Sequence, residues 1–239
     1  PISRVDNSGH VTQLAQGREL PCRSGGHPVR VTIDDTYVYW TEDAGRYIGD
    51  PEDPADPTNP VCLTTADIRW VRSVPRGGGV ARTLAEISSL NVAVDSKFIY
   101  FMRGDSLLRM DKRSLAEKVV ASGLAADRNA VLHRAGVWIY VGGHDGCLYT
   151  VHGQTGLVRT VCPGPESTGG SITRMASDNR YIYWIYEAGP TGRPSGIYRM
   201  LLGGDAPVDL RHEGAAWALA VDEDFLYWGD STTVYRQCK

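Results

Sequence analysis

Apolar and polar positions alternate with a period of two in short runs along most of the chain, and each run ends on a pair of aromatics. The runs are Tyr37-Val38-Tyr39-Trp40, Phe98-Ile99-Tyr100-Phe101, Tyr181-Ile182-Tyr183-Trp184 and Phe225-Leu226-Tyr227-Trp228. An aspartate, Asp34, Asp95, Asp178 or Asp222, opens each of them, and a worn copy runs from Arg134 to Tyr140. Period-two alternation of aromatic and aliphatic residues predicts half-buried strands. The leading Asp predicts a turn, because its side chain can bond the backbone just ahead of it. The closing aromatics Trp40, Phe101, Tyr140, Trp184 and Trp228 are 61, 39, 44 and 44 residues apart. One insertion, at about 44–66, accounts for the long first interval.

A second phrase recurs between the aromatic runs: an apolar residue, Arg or a polar residue, a turn, then another apolar strand. Ile2–Arg4, Arg69–Arg72, Leu107–Arg109, Leu148–Thr150, Ile197–Arg199 and Val234–Arg236 are its copies. Each unit therefore predicts four strands. Strand A is small and apolar (Asn91-Val-Ala-Val, Ala218-Leu-Ala-Val), strand B is the aromatic run, and C and D form an outer hairpin. A lone four-stranded sheet cannot bury both faces, whereas sheets stacked around an axis can, and the period matches a propeller blade. The expected fold is an all-β propeller of four-stranded antiparallel blades, occupying residues 1–239 as one domain. Five blades are expected, with six as the alternative. The ring would close by joining the N-terminal hairpin (Ile2–Arg4, Val11–Ala15) to the C-terminal strands, although one C-type strand is then surplus. Ser114–Ala121 has helical propensity, but the repeat register makes it strand D. Gly77-Gly78-Gly79 reads as a C–D turn.

Composition narrows the function classes. A net charge of −3 gives no footprint for phosphate neutralisation, so nucleic acid is not an expected partner. No apolar run approaches the roughly 18 residues needed to cross a bilayer. The chain opens on Pro1 rather than Met, which points to a processed product or a fragment. Five cysteines form no Cys-x-x-Cys pair. Counting outward from the turn Gly153-Gln-Thr-Gly156 sets Cys147 opposite Cys162 on neighbouring strands, where a disulfide is expected. Cys22 and Cys62, both in loops, form the second expected pair and leave Cys238 over. Disulfides imply an oxidising compartment: extracellular, periplasmic or cell-surface.

The phrase Asp-x-x-aromatic-aliphatic-Tyr-Trp, followed by Thr41-Glu42-Asp43 or Gly229-Asp230, resembles the YWTD (low-density-lipoprotein-receptor class B) repeat and the propeller repeats of secreted and envelope proteins of soil bacteria. The resemblance spans the chain outside the insertion. It implies an extracellular ring that binds proteins or peptides on one face without catalysis.

No nucleophile elbow, His-Glu-x-x-His or phosphate loop is present. Arg103-Gly104-Asp105 spells the integrin tripeptide, which three common residue types produce by chance. Just after strand B the units place carboxylates: Glu42 and Asp43, Asp105, Asp145, Glu187 and Asp230. In a propeller these B–C loops converge around the mouth of the channel, where such a ring would attract a cation or a basic peptide. The competing reading gives each Asp to the amides of its own turn. The insertion, with Asp50, Glu52, Asp53 and Asp56 among prolines, springs from the same position and should overhang that face. Trp40, Arg103, His144 and Tyr186 would add contacts, completing the candidate ligand site. The expected function is a non-catalytic binding or scaffold propeller holding a protein or peptide on this face. A metal-dependent hydrolase or lyase at the channel mouth, and a structural subunit of a surface assembly, are the alternatives. No cofactor is expected, a calcium ion in the carboxylate ring being the one alternative.

Overall fold

The computed structural model describes residues 2–6, 8–15, 28–43, 46–47, 62–63, 69–126, 129–162, 170–189, 195–210 and 216–239. Among these every regular element is a strand. The first two, β1 (Ile2–Val5) and β2 (Val11–Ala15), pair with each other alone. The first full blade follows as β3 (Pro28–Ile33), β4 (Tyr37–Asp43), β7 (Arg69–Pro75) and β8 (Arg82–Ile87). Between β4 and β7, β5 (Arg46–Tyr47) and β6 (Cys62–Leu63) form a short ladder at the base of the insertion.

Three more four-stranded antiparallel blades come next. They comprise β9 (Ala93–Val94), β10 (Phe98–Arg103), β11 (Ser106–Asp111) and β12 (Glu117–Ala121); then β13 (Val131–Ala135), β14 (Trp138–Gly142), β15 (Leu148–His152) and β16 (Val158–Val161); then β17 (Ser171–Ser177), β18 (Tyr181–Glu187), β19 (Gly196–Leu201) and β20 (Val208–Asp209). The chain finishes with a three-stranded sheet, β21 (Ala218–Val221), β22 (Phe225–Gly229) and β23 (Val234–Cys238). The first strand of each blade touches the first strand of the next, in the order β3, β9, β13, β17, β21, so these strands line the axis. The fold is propeller-like, as the repeat predicts.

The expected turn chemistry is present in every intact copy. Asp34 Oδ1 accepts the amides of Thr36 and Tyr37, both at 2.7 Å, and its Oδ2 accepts the Tyr39 hydroxyl at 2.9 Å. Asp95, Asp178 and Asp222 repeat the arrangement with Tyr100, Tyr183 and Tyr227. One aspartate thus fixes both the A–B turn and the tyrosine two residues beyond its first strand B residue. Alternate strand B residues then pack on opposite neighbours. Ile182 and Trp184 join the cluster shared with the preceding blade, and Tyr183 and Ile185 join the one shared with the following sheet.

A lysine at the end of strand C ties blades together. Lys112 Nζ donates to Asp34 Oδ2 of the preceding blade and to the Asp95 carbonyl of its own. Lys239 Nζ does the same with Asp178 Oδ2 at 2.8 Å and the Asp222 carbonyl at 2.6 Å. The worn copy breaks the pattern in a compensated way. Ala135, which faces Trp138 as Asp34 faces Tyr37, stands where the aspartate would be, one residue past the Arg134 of the sequence register, and the next blade carries Leu202, packed into the core, in place of the lysine. Gly153 occupies the lysine position opposite Asp95, and Arg134 Nε takes over that contact at 3.7 Å.

The expected ring closure is corrected by the structure. Six sheets, not five, follow one another, and among the described residues no ladder joins β1–β2 to β21–β23. The reason lies in the surplus strand: β23 already fills the third place of its sheet, so a two-stranded hairpin finds only one place left there. It packs instead on the first blade, Ile2, Leu14 and Ala15 covering Val38, Trp40 and Val74. Among the described residues no strands stand beside it toward the axis, and Val31 and Ile33 of β3 are 50% and 57% exposed around an apolar groove of about 480 Å³.

Ser114–Ala121 resolves as predicted. Asp111 Oδ1 caps the amides of Arg113 and Ser114, Leu115 adopts a left-handed φ of 58°, and the chain turns into β12 instead of starting a helix. The Cys147–Cys162 disulfide joins β15 and β16 one position beyond their last ladder pair. Cys22 lies outside the described residues, as do Asp50, Glu52, Asp53 and Asp56, and Cys238 is free and exposed.

Candidate functional site

Three of the six predicted carboxylates, Asp145, Asp230 and Glu42, are held by their own surroundings. Asp145 Oδ1 accepts the Cys147 amide at 3.0 Å and its Oδ2 the Tyr149 hydroxyl at 2.6 Å. Asp230 takes the amides of Thr232 and Thr233, both at 2.8 Å, and the Tyr235 hydroxyl at 2.9 Å, bonds that hold its pKa at about 2. Both repeat the Asp–Tyr lock of the A–B turns at the opposite end of the blade. Glu42 is fully buried: Trp40 Nε1 donates to its Oε2 at 3.0 Å and Arg72 pairs with it at 3.3 Å. Trp40 and Tyr186 are core residues, 0% and 4% exposed, and offer no contact surface.

The remaining predicted residues are spread over the same face. Arg103 is held by both carboxylate oxygens of Glu117, at 2.7 and 3.0 Å, and by the Glu86 carbonyl. Asp105 accepts the Ser106 hydroxyl, Glu187 ends β18 half-buried, and Asp43 ends β4. His144 lines a cavity. Among the described residues no group of three His, Cys, Asp or Glu is placed to hold a metal.

That cavity, about 300 Å³, lies where the B–C loops and the loops entering strand A meet the axis. Leu90, Asn129, His144, Ser171, Thr173 and Arg174 line it. Its charge is opposite to the expected one. Arg174 Nη1 donates to the Thr173 carbonyl at 2.7 Å, and Arg30 Nη2, from β3 on another blade, reaches the same oxygen at 3.2 Å. The two guanidiniums share one carbonyl oxygen, and no carboxylate of the described residues lies within ion-pair range of either. Burial, and then the neighbouring Arg174 charge, press the Arg30 pKa below the usual arginine value. The Thr173 hydroxyl is buried without a hydrogen-bond partner.

Both arginines sit beside irregularities. The β3–β4 ladder shifts register between Pro28 and Arg30, and the β17–β18 ladder between Ile172 and Arg174. A bulge of this kind re-aims the adjacent side chain. The strands β9, β13 and β21 show no such shift against their neighbours. Deeper along the axis, His133 Nε2 meets Ser177 Oγ at 2.8 Å, and burial pushes the His133 pKa down to about 4.

The repeat register held a signal for the arginines. Counting four residues back from each turn-opening position gives Arg30, Asn91, Val131, Arg174 and Ala218. Two arginines in a series otherwise small or neutral, on strands predicted to line the axis, mark that place as chemically distinct. Asn91 spends its own side chain on Leu132, donating to its carbonyl and accepting its amide, both at 2.7 Å.

A larger hollow of about 680 Å³ opens at the other end, between the fourth full blade and the three-stranded sheet, lined by Asp178, Arg180, Tyr181, Arg199, Asp222 and Lys239. Its central charges are consumed by the lysine tie, so it offers fewer free groups.

No family model matches the chain, and no curated protein matches it. Solved structures do. The computationally designed Ika8 protein aligns over 88% of this chain and 70% of its own at 11% identity and TM-score 0.53. TolB from Acinetobacter baumannii aligns over 71% of this chain at 15% identity and TM-score 0.49, and the tricorn protease over 98% at 14% identity and TM-score 0.47. The chain covers 46% of that TolB chain and 27% of that tricorn protease chain. At these identities the likeness concerns the fold alone.

Proposed function

We propose that the chain is a non-catalytic binding propeller that captures a protein or peptide on the face carrying the B–C loops, in an extracellular, periplasmic or cell-surface setting. The observation that supports this most is the cavity at the channel mouth, lined by His144, Thr173 and Arg174 and set among blades of which four have their A–B turn locked by an aspartate and a tyrosine. A scaffold so fixed presents groups from several blades with little conformational freedom left to lose, which favours binding. The disulfide Cys147–Cys162, directly beneath this face, supports the oxidising setting.

A photo-cross-linking residue placed at His144 tests the face, with one at the exposed Arg180 of the opposite end as control. Incubated with the protein's native extracellular fraction, the 144 variant is expected to yield one specific adduct and the 180 variant none. Adducts formed from position 180 alone would overturn the assignment of the face.

A further inference from the structure

The geometry points to a carboxylate-binding site at the channel mouth, formed by Arg30 and Arg174 with the Thr173 hydroxyl. This rests on the proposed binding face and names the chemistry that face recognises. Four observations converge on it. The two guanidiniums come from different blades and meet on one carbonyl oxygen. Neither has a carboxylate partner among the described residues, although the chain as a whole is acidic. Each is aimed by a register shift in its own strand. The hydroxyl of Thr173, whose carbonyl both arginines reach, is buried without a hydrogen-bond partner.

Two half-buried guanidiniums on one acceptor repel each other and have lost part of their hydration. That arrangement is costly alone and is relieved by an anion bridging them. Planar guanidinium forks match a carboxylate in particular, each offering two parallel N–H donors. The Thr173 hydroxyl supplies a further donor, and a cavity of about 300 Å³ admits one acidic side chain or one small diacid but no folded segment. The carboxylate comes from an acidic peptide inserted into the mouth or from a free dicarboxylate, and the two are separable by experiment.

The test uses a dye-labelled tetraglutamate peptide, its tetraglutamine counterpart, and unlabelled glutarate as competitor, read by fluorescence anisotropy on the whole chain. Tetraglutamate is expected to bind at least tenfold more tightly than tetraglutamine, and its affinity to fall as salt rises. Arg174→Gln and Arg30→Gln are each expected to weaken it tenfold or more, and Arg174→Lys to restore part of the loss; thermal melts establish that each variant is folded. Competition by glutarate at concentrations near the peptide's own assigns the site to a free diacid; competition only by unlabelled tetraglutamate assigns it to a peptide. Equal binding of the two peptides, or unchanged affinity in folded Arg174→Gln, overturns the inference. If that happens while cross-linking still captures a partner through position 144, the binding face stands and only its anion chemistry falls.

Discussion

Replacing Asp178 by Asn tests whether the repeat's aspartates hold the propeller together. Asp178 accepts the amides of Arg180 and Tyr181, both at 2.7 Å, the Tyr183 hydroxyl at 3.1 Å and the Lys239 ammonium at 2.8 Å. Burial by itself would raise its pKa; the bond from Lys239, then the two amides and Tyr183, outweigh it and bring the value from 3.8 to about 2. A fall of that size corresponds to roughly 2 kcal/mol of stability at neutral pH. The folded-state pKa is the depressed one, so this stability is present above the unfolded value of 3.8 and is lost as pH falls toward 2. Asn keeps one acceptor oxygen for the amides but turns the other position into a donor facing Lys239. Asp178→Asn should therefore lower the unfolding free energy at pH 7 by about 2–3 kcal/mol. The gap between wild type and variant should be roughly halved at pH 3. Urea unfolding followed by tryptophan fluorescence, from pH 7 down to pH 3, measures both quantities. A gap below about 0.5 kcal/mol at pH 7, or one of the same size at pH 3, would refute the argument.

Burial of His133 lowers its pKa from 6.5 to about 4, so the unfolded chain takes up its proton first as pH falls. Wild-type stability should drop by roughly 1–2 kcal/mol between pH 7 and pH 5 through this group, and His133→Gln should remove that slope in pH-stepped urea melts. Glu42→Ala strips a fully buried partner from Arg72 and from the Trp40 indole; a loss of about 3 kcal/mol is expected in the same melts, and a loss under about 1 kcal/mol would show the pair to be weak. Cys147 and Cys162 are 15 residues apart, and opening their bridge by Cys→Ala at both positions should cost about 3 kcal/mol, read from denaturation midpoints.

The aspartate-led aromatic runs determined the blades, their strand order and the C–D hairpins before any coordinates, because period-two patterning and an Asp-capped turn act within a few residues. The Cys147–Cys162 pairing was legible for the same reason, since it follows from counting out of one turn. Closure was not legible. Whether β1–β2 completes the last sheet depends on how many strands already stand there and on what the hairpin can cover, which is settled only when Ile2 and Leu14 meet Trp40 and Val74. The character of the channel mouth was not legible either. Sequence order sets the carboxylates after every strand B, but only the folded turns show that Asp145, Asp230 and Glu42 are occupied by amides, tyrosines and Arg72. Arg30 and Arg174 are 144 positions apart and become neighbours only because the blades set β3 and β17 about one axis. Local hydrogen bonding is written in the order of residues; the balance of charge at an axis is set by which distant strands share it.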